Sequence, residues 1–301
     1  MPSVPKRLVY LGSPEAAVAP LRALHAAGHD IVLVVSQPDR RRGRGGATSP
    51  SPVKAAALEL GVPVTERIDD VVESGAELGV VVAYGRLIRP HVLAAVPMVN
   101  LHFSLLPRWR GAAPVERAIL AGDTVTGVCV MDVATELDVG DVYAVAEVPI
   151  GDTTTADQLR GRLVDVGTRM LVDVLDGNLP QPTPQTGETT YAEKLRPEEW
   201  QLDWSEPAVV LYRWVRAGRA WTTFRGKRLG VRAARLGQLD DQDAVEGLTQ
   251  TAGELVDAKR GAVVTGAGTM QLAEVQPEGR PSMSWADFAN GAQPRSGELL
   301  V

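Results

Sequence analysis

Three polar residues have the types and the spacing for chemistry: Asn100, His102 and Asp138. Asn100 and His102 are two residues apart at the end of a predicted strand, so both project from one face of it. Asp138 lies in a predicted loop after another strand, and open α/β sheets carry their sites at this edge. An amide and a protonated imidazole can donate to a developing oxyanion, while a carboxylate can orient the imidazole and accept a proton. The set suits acyl transfer to an amine, although a capping Asn, a core His and a turn Asp would share this spacing.

Other classes of active site lack the residues that they require. Cys129 is the single cysteine, which excludes an internal disulfide and a cysteine-rich metal centre. The sequence has neither an HExxH pattern nor paired Cys and His spacing, so we predict that the protein holds no metal. Ser104 does not stand in the GxSxG turn of hydrolases. We therefore expect the substrate itself to bring the attacking amine.

The order of apolar runs and turn residues predicts an α/β protein with two domains. In the first part, predicted helices alternate with strands at residues 7–12, 31–36, 79–83, 99–103, 127–133 and 141–150. This alternation predicts a Rossmann-like, mostly parallel sheet with helices on both faces. A Pro- and Gly-rich segment then leads to short β-like runs, which predict a small OB-like β-barrel. We assign residues 1–185 to a catalytic domain, 186–204 to a linker and 205–301 to a C-terminal domain.

The composition excludes several classes of protein. Of the 301 residues, 45% are hydrophobic and 23% are charged, as in globular proteins. The longest apolar runs are far shorter than the ~20 residues of a membrane span. The first residues lack the apolar run of a secretory signal. We expect a cytoplasmic enzyme without membrane contact, and nothing in the pattern requires more than a monomer.

Positive charge is concentrated in two segments, although the net charge is −6. The first is RRRGR at residues 40–44, within a loop at 37–52 that is rich in Gly, Pro and Arg. The second spans residues 207–239, which contain eight basic residues and no acidic one. Such surfaces neutralise the phosphates of nucleic acids. A solvated charged face would give the same pattern.

Several segments resemble one protein family, in order along nearly the whole chain. Residues 100–114 read NLHFSLLPRWRGAAP and closely resemble the N-x-H-x-S-L-L-P-x-x-x-G segment of folate-dependent formyltransferases. The extension RWRGAAP resembles the methionyl-tRNA formyltransferase branch of that family. Further agreement occurs at residues 37–45, 50–54, 82–90, 126–141, 191–195, 203–205, 270–280 and 283–291.

The resemblance implies a reaction and a site. The family transfers a formyl group from 10-formyltetrahydrofolate, and in this branch the acceptor is the α-amine of methionyl initiator tRNA. Asn100, His102 and Asp138 fall on the catalytic triad of the family. The implied folate-binding positions are Ser104, Leu105, Leu106, Pro107, Tyr84, Arg86 and Leu87.

The resemblance also gives both basic segments a partner. The Arg-rich loop matches an insertion that reaches the tRNA acceptor end, and the C-terminal domain resembles the OB-like tRNA-binding module of the branch. The implied tRNA contacts are Arg40, Arg41, Arg42, Arg44, Arg213, Arg216, Lys227 and Arg228. Two alternatives stay open: an amino-sugar N-formyltransferase, which the basic segments disfavour, and an inactive tRNA-binding relative, which the intact triad disfavours. A folate-hydrolysing or purine-pathway formyltransferase would share the N-terminal pattern, but the C-terminal segments disfavour it.

Overall fold

A computed structural model describes residues 7–41, 48–177, 179–237 and 251–301 of the chain, which forms two compact units. The first unit consists of the chain up to Val115, Thr124–Ile150 and Gln158–Lys194. The second consists of Glu116–Asp123, Gly151–Asp157 and the chain from Leu195 onward.

A seven-stranded sheet forms the centre of the first unit. The strands of this unit are β1 (Arg7–Gly12), β2 (Asp30–Val35), β3 (Arg40–Arg41), β4 (Thr48–Ser49), β5 (Val64–Thr65), β6 (Leu78–Val82), β7 (Met98–His102), β8 (Arg110–Gly111), β9 (Val125–Asp132), β10 (Val142–Pro149) and β11 (Tyr191–Ala192). The order in the sheet is β10-β9-β7-β6-β1-β2-β5. From β7 to β5 the strands run parallel, while β9 runs antiparallel to both of its neighbours, β7 and β10. The predicted mostly parallel sheet is confirmed.

Helices cover both faces of this sheet. They are α1 (Val18–Ala26), α2 (Pro52–Glu59), α3 (Pro90–Ala95) and α5 (Ala156–Asp176), with short 3₁₀ helices at Glu15–Ala17 and Ile68–Val71. A further helix, α4 (Pro114–Ala121), belongs mostly to the second unit. Val92 of α3 packs in one apolar cluster with Met98 of β7. On the opposite face, Gly167 of α5 lies against Leu101 of β7 and Val128 of β9. Burial on both faces explains why the strands read as continuous apolar runs.

The second unit contains an antiparallel sheet that its last residues close. Its elements are a 3₁₀ helix (Glu198–Trp200), α6 (Ala208–Ala217), β12 (Trp221–Phe224), β13 (Lys227–Leu236), β14 (Leu255–Asp257), β15 (Ala262–Val264), β16 (Thr269–Pro277), β17 (Met283–Ser284) and α7 (Trp285–Ala292). The order is β12-β13-β16-β15-β14, with β17 beside β16. Val301 accepts from the Thr223 N–H at 2.6 Å, and Leu300 donates to the Gly253 carbonyl at 2.8 Å. These bonds join the two sheet edges into a barrel-like form.

No helix within the described ranges is both long and apolar enough to span a membrane. The longest, α5, carries charged side chains along its length.

Cys129 lies in the middle of β9 and is fully buried. Its thiol donates to the carbonyl of Ser104 at 3.1 Å. Burial raises the pKa of the Cys129 thiol to about 11. Only the thiolate is a good nucleophile, so this cysteine is chemically protected in the folded chain.

We expect DTNB to label the native protein at least about a hundredfold more slowly than the unfolded protein at neutral pH, because the raised pKa lowers the thiolate fraction by roughly that factor. The absorbance of the released thiolate measures the rate, with protein unfolded in guanidinium as the reference. Cys129→Ala protein supplies the background. Fast, stoichiometric labelling of the native chain would contradict the burial of this thiol.

Candidate active site

Two of the predicted residues, Asn100 and His102, lie at the carboxyl end of β7. Asn100 and His102 lie on the same face of the strand as Met98, whose side chain is in the apolar core. In register, Asn100 is opposite Met131 and His102 is opposite Cys129 of β9. His102 is 5% exposed, whereas Asn100 is half-buried. The apolar row of this strand therefore ends in two polar side chains at the sheet edge.

Both ring nitrogens of His102 face acceptor atoms. Nε2 lies 3.0 Å from the carbonyl oxygen of Trp109, and Nδ1 lies 3.6 Å from Oδ2 of Asp138. A neutral imidazole has one N–H, whereas an imidazolium has two. Only a protonated ring carries an N–H toward each of the two acceptors. The longer separation exceeds a direct hydrogen bond, so Asp138 acts on the ring mainly as a nearby negative charge.

A backbone N–H group holds the carboxylate of Asp138 in place. Its Oδ2 accepts the Gly111 N–H at 2.8 Å, and the side chain is 10% exposed. Asp138 has a φ of 54°, in the left-handed region that residues other than glycine rarely occupy. By contrast, no described residue hydrogen-bonds the side-chain amide of Asn100, which leaves its N–H groups available to a substrate.

The turn after β7 is shaped by its own polar groups. The Ser104 hydroxyl is fully buried and donates to the carbonyl of Arg108 at 2.6 Å. Leu106 packs against a buried cluster that includes Cys129 and is joined to the buried Pro107 by a cis peptide bond. Leu105 lies against Gly127 of β9. These four residues are predicted to bind folate. In the structure they pack against the fold and stiffen the turn, and the Ser104 hydroxyl is already hydrogen-bonded within it.

A short parallel ladder braces the segment that carries the acceptor of His102. Strands β8 and β11 pair Arg110 with Tyr191 and Gly111 with Ala192. Gly111 has a φ of 120°, and a Cβ there would lie 2.8 Å from the carbonyl oxygen of Ala192. The Trp109 N–H donates to the Thr190 hydroxyl at 3.0 Å. The residues at 190–192 thus hold the loop beside the imidazole.

The loop after β6 differs from the prediction at one position. Tyr84 is 2% exposed and packs in the same core cluster as Val92. Burial raises the pKa of the Tyr84 phenol, and the nearby Arg86 guanidinium partly opposes this. Arg86 is exposed, and Leu87 is 74% exposed. The side chains that this loop presents to a ligand are therefore those of Arg86 and Leu87, while the Tyr84 ring supports the loop from below.

The predicted tRNA contacts fall into different environments. Arg40 and Arg41 form β3, whose backbone pairs with β4. Arg42 and Arg44 lie outside the described residues. In the second unit, Lys227 and Arg228 are exposed at the start of β13, and the Arg228 guanidinium lies 4.4 Å from the Trp221 ring centre.

Two further arginines are on helix α6 and are less accessible. Arg213 is half-buried, and Arg216 is 8% exposed. Nη1 of Arg216 donates to the carbonyl of Gly151 at 2.9 Å and also lies near that of Thr154. Burial lowers the pKa of the Arg216 guanidinium. The prediction of a phosphate contact at Arg216 conflicts with this burial, because its charge is turned to backbone carbonyls inside the second unit.

Several groups of the site carry no sequence signal. The Trp109 carbonyl and the Gly111 N–H are backbone atoms. Gln185, which bonds the Asp138 loop, stands in a Pro- and Gln-rich segment typical of a linker. The segment YAEKL at 191–195, which contains β11, matches the family in sequence, but that match gave it no role in the site. In the described ranges no three His, Cys, Asp or Glu side chains group as metal ligands, and the absence of a metal stays a prediction.

Two family models match the chain. The model for Formyl transferase matches residues 6–175, more than half of the chain, and the model for Formyl transferase, C-terminal domain, matches residues 194–293.

Curated proteins and solved structures agree with these models. The methionyl-tRNA formyltransferase of Symbiobacterium thermophilum is 40% identical over 304 residues, covering 95% of this chain and 92% of that protein. The same enzyme of Methylococcus capsulatus is 42% identical over 304 residues, covering 94% and 96%. HypX from Aquifex aeolicus, solved in complex with tetrahydrofolic acid, matches with a TM-score of 0.63 and 16% identity. The match covers 98% of this chain and 49% of HypX. Because the identity is only 16%, this likeness shows the fold alone. The chain belongs to the formyltransferase family, in the branch of the methionyl-tRNA formyltransferases.

Proposed function

We propose that this enzyme transfers a formyl group from 10-formyltetrahydrofolate to the α-amine of methionine on initiator tRNA. The observation that carries the proposal is the buried His102 between two acceptors, on the same strand face as the available amide of Asn100. Such a pair stabilises negative charge on a carbonyl oxygen. No nucleophile from the protein is needed, because the substrate brings its own amine. We place the reaction in the cytoplasm and expect a monomer to perform it.

The residues at the sheet edge suit a reduced folate. Asn100 offers donors to a formyl oxygen, and Leu87 offers exposed apolar surface on the loop of the neighbouring strand β6. Arg86 is an exposed cation on that loop, and Ser104–Pro107 form a firm turn after β7. When bound, the folate supplies the formyl carbon and the nitrogen N10 as the leaving group.

We assign the chemical roles as follows. Asn100 donates to the formyl oxygen, on which negative charge develops as the neutral amine attacks. His102 adds the positive charge of its imidazolium, which Asp138 stabilises at 3.6 Å. The new carbon–nitrogen bond leaves an extra proton on the methionyl nitrogen. Asp138 takes up this proton and relays it to N10 as the bond between N10 and the formyl carbon breaks.

Asn100→Ala, His102→Ala and Asp138→Ala should each lower kcat by about a hundredfold or more, because removal of one group that stabilises the oxyanion typically costs that much. Single-turnover formylation of methionyl initiator tRNA measures the loss, and thermal unfolding controls for folding. His91→Ala is the matched control, since His91 contacts Asp69 at 2.8 Å on the exposed surface. Near-normal turnover in any of the three variants would remove that residue from the mechanism.

The tRNA is proposed to meet basic side chains of both basic segments. In the Arg-rich loop we assign this role to Arg44, together with Arg40, Arg41 and Arg42. In the second unit, Lys227 and Arg228 carry the assignment, because both are exposed at the start of β13. Arg228 over Trp221 also forms a cation–aromatic surface of the kind on which nucleotides stack. We propose residues 1–185 as the catalytic domain and 205–301 as the tRNA-binding domain.

Lys227→Ala and Arg228→Ala should each weaken tRNA binding and reduce the salt slope of the binding constant by about one, as expected for one lost phosphate contact. Arg44→Ala should raise KM for the charged tRNA and leave KM for the folate within about twofold. Binding measured across a salt series gives the slopes. Arg225→Ala serves as the control, since this guanidinium of the same hairpin is already bonded to Glu298 at 3.0 Å. Unchanged slopes for Lys227→Ala and Arg228→Ala would place the tRNA elsewhere.

The acceptor is tested by offering methionyl initiator tRNA, methionyl elongator tRNA and an amino-sugar nucleotide in parallel, with 10-formyltetrahydrofolate as the donor. We expect transfer to the initiator tRNA, with the elongator far behind. Transfer to the sugar would support the amino-sugar alternative. Transfer to none of the three would contradict the proposed activity.

A further inference from the structure

Gln185 uses the full hydrogen-bonding capacity of its side chain beside the candidate active site. Its Nε2 donates to the carbonyl of Asp138 at 2.9 Å and to that of Gly140 at 2.8 Å. Its Oε1 accepts from Nε and Nη2 of Arg110 at 3.1 Å and 2.6 Å. A glutamine amide offers two N–H donors and two acceptor lone pairs, so all four are occupied.

The loop that Gln185 contacts has few other restraints. Residues 133–141 form neither helix nor strand. The loop is closed at its base, where the Asp132 N–H donates to the Asp141 carbonyl at 2.8 Å. Near its end, Gly140 passes so close to the Asp132 carbonyl that a Cβ would lie 2.0 Å from that oxygen. The carbonyls that Gln185 binds belong to the carboxylate-bearing residue itself and to the glycine two positions later.

The other partner of Gln185 belongs to the opposite wall. Arg110 stands between Trp109, whose carbonyl accepts from His102, and Gly111, whose N–H donates to Asp138. The Arg110–Gln185 pair therefore connects the segment that holds both His102 and Asp138 with the loop that carries Asp138. Because the guanidinium is planar and donates two N–H groups to one amide oxygen, it fixes the orientation of the Gln185 side chain.

We propose that Gln185 is a positioning residue, which with Arg110 sets the separation between the Asp138 carboxylate and the His102 ring. Gln185 touches neither reacting atom and acts through Asp138. The proposal deepens the formyl transfer proposed above and rests on it. A charge–charge interaction weakens as separation grows, so a carboxylate released from its place would stabilise the imidazolium less.

The choice of an amide has a chemical reason. A glutamate at this position could still accept from Arg110, but it would have no N–H for the two loop carbonyls. It would also place a second negative charge near Asp138, and like charges disfavour each other's ionised form. Only the amide accepts from the arginine and donates to the loop at the same time.

The first test separates turnover from binding. Gln185→Ala and Gln185→Glu should each lower kcat by about tenfold or more, because small displacements of a catalytic group cost rate steeply, while KM for tRNA and for folate changes less than about twofold. Gln276→Ala is the matched control: Gln276 accepts from Arg232 and donates to the Arg280 carbonyl in the second unit, and its loss should leave kcat unchanged. Full kcat in Gln185→Ala would overturn the proposal.

The second test asks whether Gln185 acts through Asp138. In an Asp138→Asn background, Gln185→Ala should lower the single-turnover rate by less than about twofold, because groups that act as one unit are not additive. The same loss in both backgrounds would mean a general structural role and would overturn the proposal. Wild-type protein is assayed first, so that absence of formyl transfer counts against the proposed function alone.

The third test does not depend on activity. Hydrogen–deuterium exchange should rise in Gln185→Ala for peptides covering residues 133–141 and stay unchanged in β1 and β6. Thermal unfolding should shift little, since the sheet itself does not use this side chain. Unchanged exchange in the loop, with the variant folded, would show that Gln185 does not restrain Asp138 and would overturn the proposal.

Discussion

The imidazole of His102 lies between the Trp109 carbonyl and the Asp138 carboxylate, with one ring nitrogen facing each of them. A polar ring that is 5% exposed is costly unless it keeps such partners, because burial removes its hydration. The cost of losing either acceptor therefore constrains the backbone on both sides of the ring. The turn after β7 must place the Trp109 carbonyl beside the ring, and the loop after β9 must place the Asp138 carboxylate on its other side.

Both backbone segments meet this requirement in an unfavourable conformation. Trp109 and Asp138 have φ values of 62° and 54°, and a non-glycine residue in this region typically costs of order 1–3 kcal/mol. Such conformations persist only where surrounding contacts fix them. The β8–β11 ladder fixes the first segment, and bonds to Gly111 and Gln185 hold the second. The parallel sheet, buried on both faces, supplies the rigid base from which the two segments start.

The main elements and the central residues were predictable because they depend on local patterns. The predicted strand at 99–103 and the observed strand Met98–His102 differ by one residue at each end. They agree because a short run of apolar residues is typical of a buried strand. The partners of those residues were not predictable in the same way. Two-residue strands such as β8 and β11 have no periodicity, and a glutamine among prolines reads as a linker. Tyr84 has the composition of a pocket residue, but its burial follows from packing that one sequence does not reveal.

The arginines of the second unit show the same limit for charge. A count of residues 207–239 suggests one continuous basic surface. In the structure, Arg216 turns to backbone carbonyls, Arg225 to Glu298 and Arg232 to Gln276. Lys227 and Arg228 remain exposed at the hairpin. Because an arginine already bonded within the fold gains less from a phosphate, the number of counterions released on tRNA binding should be smaller than the count of positive charges implies. The charge pattern thus indicates the class of partner, while burial decides which side chains meet it.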